Sequence, residues 1–138
     1  MKELKLTLPL YVMLPRKTMK DKRHTLNMNV HNGTCYIVRN QAKGIYHKIV
    51  KNILGDNSIR FNGKIQLEYI YFHGSKRKVD TNNPCSIIDK YTCDALVELG
   101  VFEDDNSSIL KRTVFEWGGV DKDNPRCELT IKEFKDEK

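Results

Sequence analysis

The stretch whose reading decides the fold is residues 78–105, KVDTNNPCSIIDKYTCDALVELGVFEDD. Ile87, Ile88, Tyr91, Ala95, Leu96 and Leu99 recur at helical spacing and give one apolar face. Asn83 is a good N-cap, Pro84 suits the first helical position, where no amide hydrogen is missed, and Gly100 stops the helix. Acids stand at both ends, Asp80 before the helix and Asp104 and Asp105 after it. A basic turn of Lys76, Arg77 and Lys78 precedes the first of them. At 1.5 Å of rise per residue the helix would hold its two acidic ends about 20 Å apart. They meet only if the chain folds back after Gly100 or if a second subunit brings them together.

Outward from this helix the chain alternates strand and helix. Ile65, Leu67, Tyr69 and Tyr71 recur at period two and predict a strand ending near Phe72, with Gly74 breaking it. Ala42, Ile45, Tyr46, Ile49 and Ile53 predict a helix over 38–54, capped by Gly55, with Lys43, Lys48 and Lys51 off its apolar stripe. Leu4, Leu6 and Leu8 alternate with Lys5 and Thr7 as a half-buried strand. Residues 10–36, punctuated by Pro15, read as a long basic loop, and so long a loop predicts contact with a ligand. Two strands close the chain, 110–117 and 127–134, with Gly118 to Pro125 as their hairpin loop and residues 135–138 frayed. The order strand-helix-strand-helix-strand-strand argues an α+β domain with two helices packed against one sheet.

Length bounds the chain to one domain, 1–138. No apolar run approaches the roughly 20 residues of a membrane span. Met1 leads straight into the Leu4–Leu8 strand with no signal-peptide pattern, so a cytoplasmic protein is expected. Cys35, Cys85, Cys93 and Cys127 form no C-x-x-C pair and read as reduced, mostly buried thiols. His24, His31, His47 and His73 lack metal-ligand spacing and read as surface or capping residues. Ser107 and Ser108 lack a nucleophile-elbow context, and no glycine-rich phosphate loop occurs.

The net charge of +6 is unevenly spread. Arg16, Lys17, Lys20, Lys22 and Arg23 form one cluster, and Lys76, Arg77 and Lys78 a second. Such clusters attract polyphosphate by releasing condensed counterions, although a solvated basic surface is the plainer reading of charge alone. Carboxylates beside basic residues are what a divalent metal and a phosphodiester together need, and the combination raises the expectation of a metal-dependent nuclease.

A motif sharpens this. Asp80-Thr81-Asn82-Asn83, then Lys90, then Asp94-Ala95-Leu96, Gly100 and Asp104-Asp105 resembles the signature of the RusA-type Holliday junction resolvases, which runs Asp-x-Asp-Asn, Lys, Asp-Ala-Leu, Gly, Asp-Asp. Leu6-Thr7-Leu8-Pro9 is similar to that family's opening strand and residues 126–133 to its closing one, so the likeness covers almost the whole chain. It implies a mixed four-stranded sheet and a small homodimeric, often phage-borne endonuclease that cuts four-way DNA junctions with magnesium in a bacterial or phage-infected cell. By the same likeness Asp80 and Asp105 would bind Mg2+, Asp104 would be the lesser acid of its pair, Asn82 would fill the second carboxylate's place, and Lys90 would be the essential lysine. The two basic clusters would hold the DNA.

The chain departs from the pattern twice. Asn82 brings a neutral amide oxygen where a carboxylate is expected, which weakens a metal site and supplies no base. The spacing from Asn82 to Asp94 is four residues longer, close to one helical turn, which preserves faces and puts Ser86 where forward counting expects the lysine. Asp89, beside Lys90, is a candidate compensating carboxylate, against the plainer reading of an exposed helical acid. The departures keep open a different class of function: a resolvase-like protein that binds branched DNA or a partner protein without cutting. A generic RNA-binding domain, with Tyr69, Tyr71 and Phe72 stacking on bases, is weaker, because core packing explains those residues.

Overall fold

Period-two alternation lays down the sheet. In β1 (Glu3–Leu8) the three leucines are buried while Glu3, Lys5 and Thr7 face solvent. β4 (Ile65–His73) buries Ile65, Leu67, Tyr69 and Tyr71 on the same side, and β6 (Arg126–Glu133) adds Cys127, Leu129 and Ile131. These side chains form one apolar surface in a four-stranded sheet of order β1-β6-β4-β5, where β5 is Leu110–Val120. β6 runs antiparallel to both β1 and β4, whereas β5 runs parallel to β4, so the sheet is mixed. The opposite face carries polar pairs such as Lys132–Glu68 at 3.1 Å. This is a computed structural model, and it describes residues 2–135. The expected fraying of 136–138 lies outside the described residues, and Lys135 follows β6 outside any helix or strand.

Helices α2 (Tyr36–Leu54) and α3 (Asn82–Glu98) cover the apolar face. α2 contributes Ala42, Tyr46 and Val50, and α3 contributes Ile87, Ile88, Tyr91, Ala95 and Leu96. Where the two helices meet, the Tyr46 hydroxyl lies 2.6 Å from Thr92 Oγ1, and the Tyr46 and Tyr91 rings pack edge to face. Burial of this polar pair is tolerated because each hydroxyl satisfies the other. Burial also holds the Tyr46 hydroxyl well above its ordinary pKa. The helix expected from residue 38 begins two residues earlier, at Tyr36, with no side-chain cap. Gly55, at φ +55°, ends it.

Two expectations are corrected. Residues 10–36 are not a loop. β2 (Tyr11–Leu14) and β3 (Lys22–Thr25) pair as an antiparallel hairpin, followed by the short helix α1 (Met28–Asn32), capped by Asn27. The basic composition hid the period-two burial of Val12, Leu14 and His24, whose inward side chains reach the core while the cations face out. The element order is therefore richer than strand-helix-strand-helix-strand-strand. Second, β5 and β6 form no hairpin, because β4 lies between them. The parallel pairing of β4 and β5 through α3 is a β-α-β crossover, and the chain must then pass β4 to return antiparallel as β6.

Candidate functional site

The crossover decides where the acids go. β4 delivers the chain to the turn at 74–81, α3 carries it back, and the segment 99–109 feeds β5 beside the start of β4. Asp80 thus belongs to one end of the unit and Asp104 and Asp105 to the other. α3 alone, at 17 residues, spans about 25 Å.

Asp80 is exposed and works locally as a cap. Its Oδ1 accepts from the Asn82 amide at 3.1 Å and its carbonyl accepts from the Asn83 amide at 3.0 Å. The helix therefore starts at Asn82, and Asn83 is not its cap. The Asn83 side chain instead accepts from the Met28 amide at 2.7 Å, tying α1 to α3. Asn82 itself is exposed. Arg77, Lys78 and Asp80 line a cleft of about 300 Å³ whose other walls are Tyr71, His73 and the β3–α1 connection. The second basic cluster lies just upstream of that connection. Arg16, Lys17, Lys20, Lys22 and Arg23 are exposed on the hairpin, where Arg16 Nε donates to the Lys20 carbonyl at 2.7 Å and Arg23 lies 3.9 Å over the Tyr11 ring.

At the far end, Gly100 with φ +78° reverses the chain. The Val101 amide donates back to the Leu96 carbonyl at 2.9 Å, and burial of Val101 and Phe102 pins the turn. The following residues fold back along the helix. Asp105 consequently lies within electrostatic reach of Asp94 and of Asp89, which stands ten residues before Leu99. Partial burial first, then Asp104 and the other acids, raises the Asp105 pKa. Asp104 moves the other way, because the Asp105 amide and the Asn106 side chain donate to it at 2.8 and 3.0 Å.

Asp89 is not an exposed helical acid. It points toward the sheet, accepting from the Tyr69 hydroxyl at 2.7 Å and from the Cys93 thiol at 3.3 Å. Burial raises its pKa against those two hydrogen bonds, and Asp105 adds to the rise. The sequence signal was present, since Tyr69 and Asp89 both fall on inward positions, but only packing brings them into contact. Lys90, next in sequence, is exposed on the side of α1, where its charge reaches His31. His24 and His31 are themselves buried, which corrects their reading as surface or capping residues. Cys85, Cys93 and Cys127 are buried free thiols and Cys35 is exposed.

The fold-back stops short of Asp80, which lies nine residues before Asp89 in sequence, roughly 14 Å by helical rise. Among the described residues no group of three or more His, Cys, Asp or Glu side chains comes together as a metal site. The donor set nevertheless suits a hard cation. Asp80 keeps a second carboxylate oxygen free of the cap, and Asp89 and Asp105 hold one another's pKa up, a repulsion that a divalent ion relieves.

No family model matches the chain, and no curated protein matches it. Among the described residues no helix is long and apolar enough to cross a membrane.

Proposed function

We propose that the protein is a magnesium-dependent endonuclease of branched DNA that acts as a homodimer, its two active sites shared between copies. The observation that carries this reading is the division of the acids between the two ends of one β-α-β crossover. Asp80 and Asn82 form half a site beside the Arg77–Lys78 cleft, and Asp105, with Asp104 and Asp89, forms the other half. A two-fold axis that sets the first end of one copy against the second end of the other completes two equivalent sites, suited to paired cuts in a four-way junction. The motif resemblance supports the same residues.

Bound Mg2+ would polarise the scissile phosphate and make a coordinated water a stronger nucleophile. The residues of the chain do the rest. Asp80 and Asp105 supply anionic oxygens, Asn82 a neutral one, and Asp89 is a nearby acid that repulsion holds ready to release its proton when a cation arrives. Lys90 offsets charge developing on the phosphate. Lys76, Arg77, Lys78 and the hairpin cations grip the backbone, so that shape rather than base sequence is read.

The test is a labelled four-way junction incubated with the protein and magnesium. Paired nicking is expected, and it should vanish in Asp80→Asn and in Asp105→Asn. Absence of magnesium-dependent nicking by the unmutated protein sinks the enzyme reading. Asn82 favours a second reading, a protein that binds the junction without cutting. Tight binding with no cleavage, and cleavage gained in Asn82→Asp, would select it.

A further inference from the structure

Trp117 is the single tryptophan of the chain, and it is 43 % exposed although it stands on a strand of the main sheet. Its strand, β5, is the sheet's edge, and Trp117 is paired in register with Tyr71 of β4. The Tyr71, His73 and Trp117 rings form a triad, with centroids 5.7 Å apart for Tyr71–His73, 6.1 Å for Tyr71–Trp117 and 6.3 Å for His73–Trp117. Tyr71 is buried and its hydroxyl lies 3.0 Å from His73 Nδ1, which locks the orientation of the two rings behind the indole. Gly118 fixes the strand from behind: it is the extra residue of a bulge, and a Cβ there would come within 2.6 Å of Ile70. A rigid, partly open indole thus stands at the rim of the cleft that holds Arg77 and Lys78, with Tyr71 and His73 forming part of that cleft's wall.

We propose that Trp117, backed by Tyr71 and His73, is a stacking platform for an unpaired nucleobase, with Arg77 and Lys78 holding the flanking phosphates. Aromatic faces take any base, and cations beside them neutralise the backbone, which is the chemistry of single-strand binding. The occupant is a strand with unpaired bases, since a base inside a duplex offers no free face to the ring. The proposal rests on the nucleic-acid half of the reading above and not on cleavage.

The lone tryptophan makes the test direct. Titration with a short unpaired oligothymidine should quench tryptophan emission saturably, while a duplex of equal length should not. Trp117→Ala should weaken binding of the labelled strand, followed by anisotropy, by roughly 5- to 150-fold, and Trp117→Phe should retain most of it. Failure of the unpaired strand to bind, binding with unchanged emission, or full affinity in Trp117→Ala overturns the platform. Junction nicking without quenching would remove the platform and leave the nuclease; quenching without nicking would do the reverse.

Discussion

The two ends of α3 carry the same chemical group in opposite surroundings. At the Asp80 end the carboxylate is exposed, caps a helix and faces Arg77 and Lys78 across a cleft. At the Asp105 end the carboxylate is drawn back against the helix and faces Asp89 and Asp94. The first environment is made for an anion such as a phosphate, and the second for a cation. Neither is a complete phosphodiesterase site, and the contrast teaches that one chain carries two complementary halves.

The sharpest way to break this comparison is to mix two inactive proteins. If the sites are shared, refolding Asp80→Asn with Asp105→Asn gives heterodimers with one intact site and one doubly altered site, and magnesium-dependent single nicking of the junction returns. If each chain holds its own site, the mixture stays inactive. Tyr69→Phe attacks the second half indirectly by removing the hydroxyl that Asp89 accepts. It should lower magnesium affinity by about 10- to 100-fold, read by isothermal titration, while junction binding without metal is unchanged.

The scaffold between the halves should be less forgiving of packing losses than either end. Leu96→Ala, at a fully buried position on α3, should cost about 2–5 kcal/mol in urea unfolding. Asn83→Ala, which leaves the Met28 amide without its acceptor, should cost about 1 kcal/mol.

The smallest effect concerns pH. Because the folded pKa of Asp89 is raised above its unfolded value of 3.8, the folded state holds that proton more tightly. Its contribution to stability is full below pH 3.8 and declines as pH rises through the folded pKa. Asp89→Asn, which still accepts from Tyr69, should flatten the melting temperature across that window and be at least as stable as the parent at pH 7. A steeper profile in the variant would contradict the burial of a charged Asp89.

Much of the scaffold was readable in advance, for a physical reason. Strands with one buried face must alternate, and helices on a sheet must repeat an apolar stripe, so β1, β4, α2 and α3 announced themselves. The hairpin of β2 and β3 did not, because its short strands carry Lys22, Arg23 and other cations on the open face and a histidine on the closed one. The pairing of β5 was misread because adjacency in sequence suggests a hairpin, and nothing local distinguishes it from a strand that docks on the far side of β4.

By itself the sequence determined the secondary structure of the crossover, the basic character of the surface and the identity of the acids at either end of α3. Those properties are local, set by spacing, caps and charge count. Only the tertiary structure decided that Asp105 folds back to Asp89 and stops short of Asp80, that Tyr69 holds Asp89, and that Trp117 stands open beside the basic cleft. Those depend on a parallel crossover and a bulged edge strand, contacts between residues far apart in the chain that no local pattern encodes.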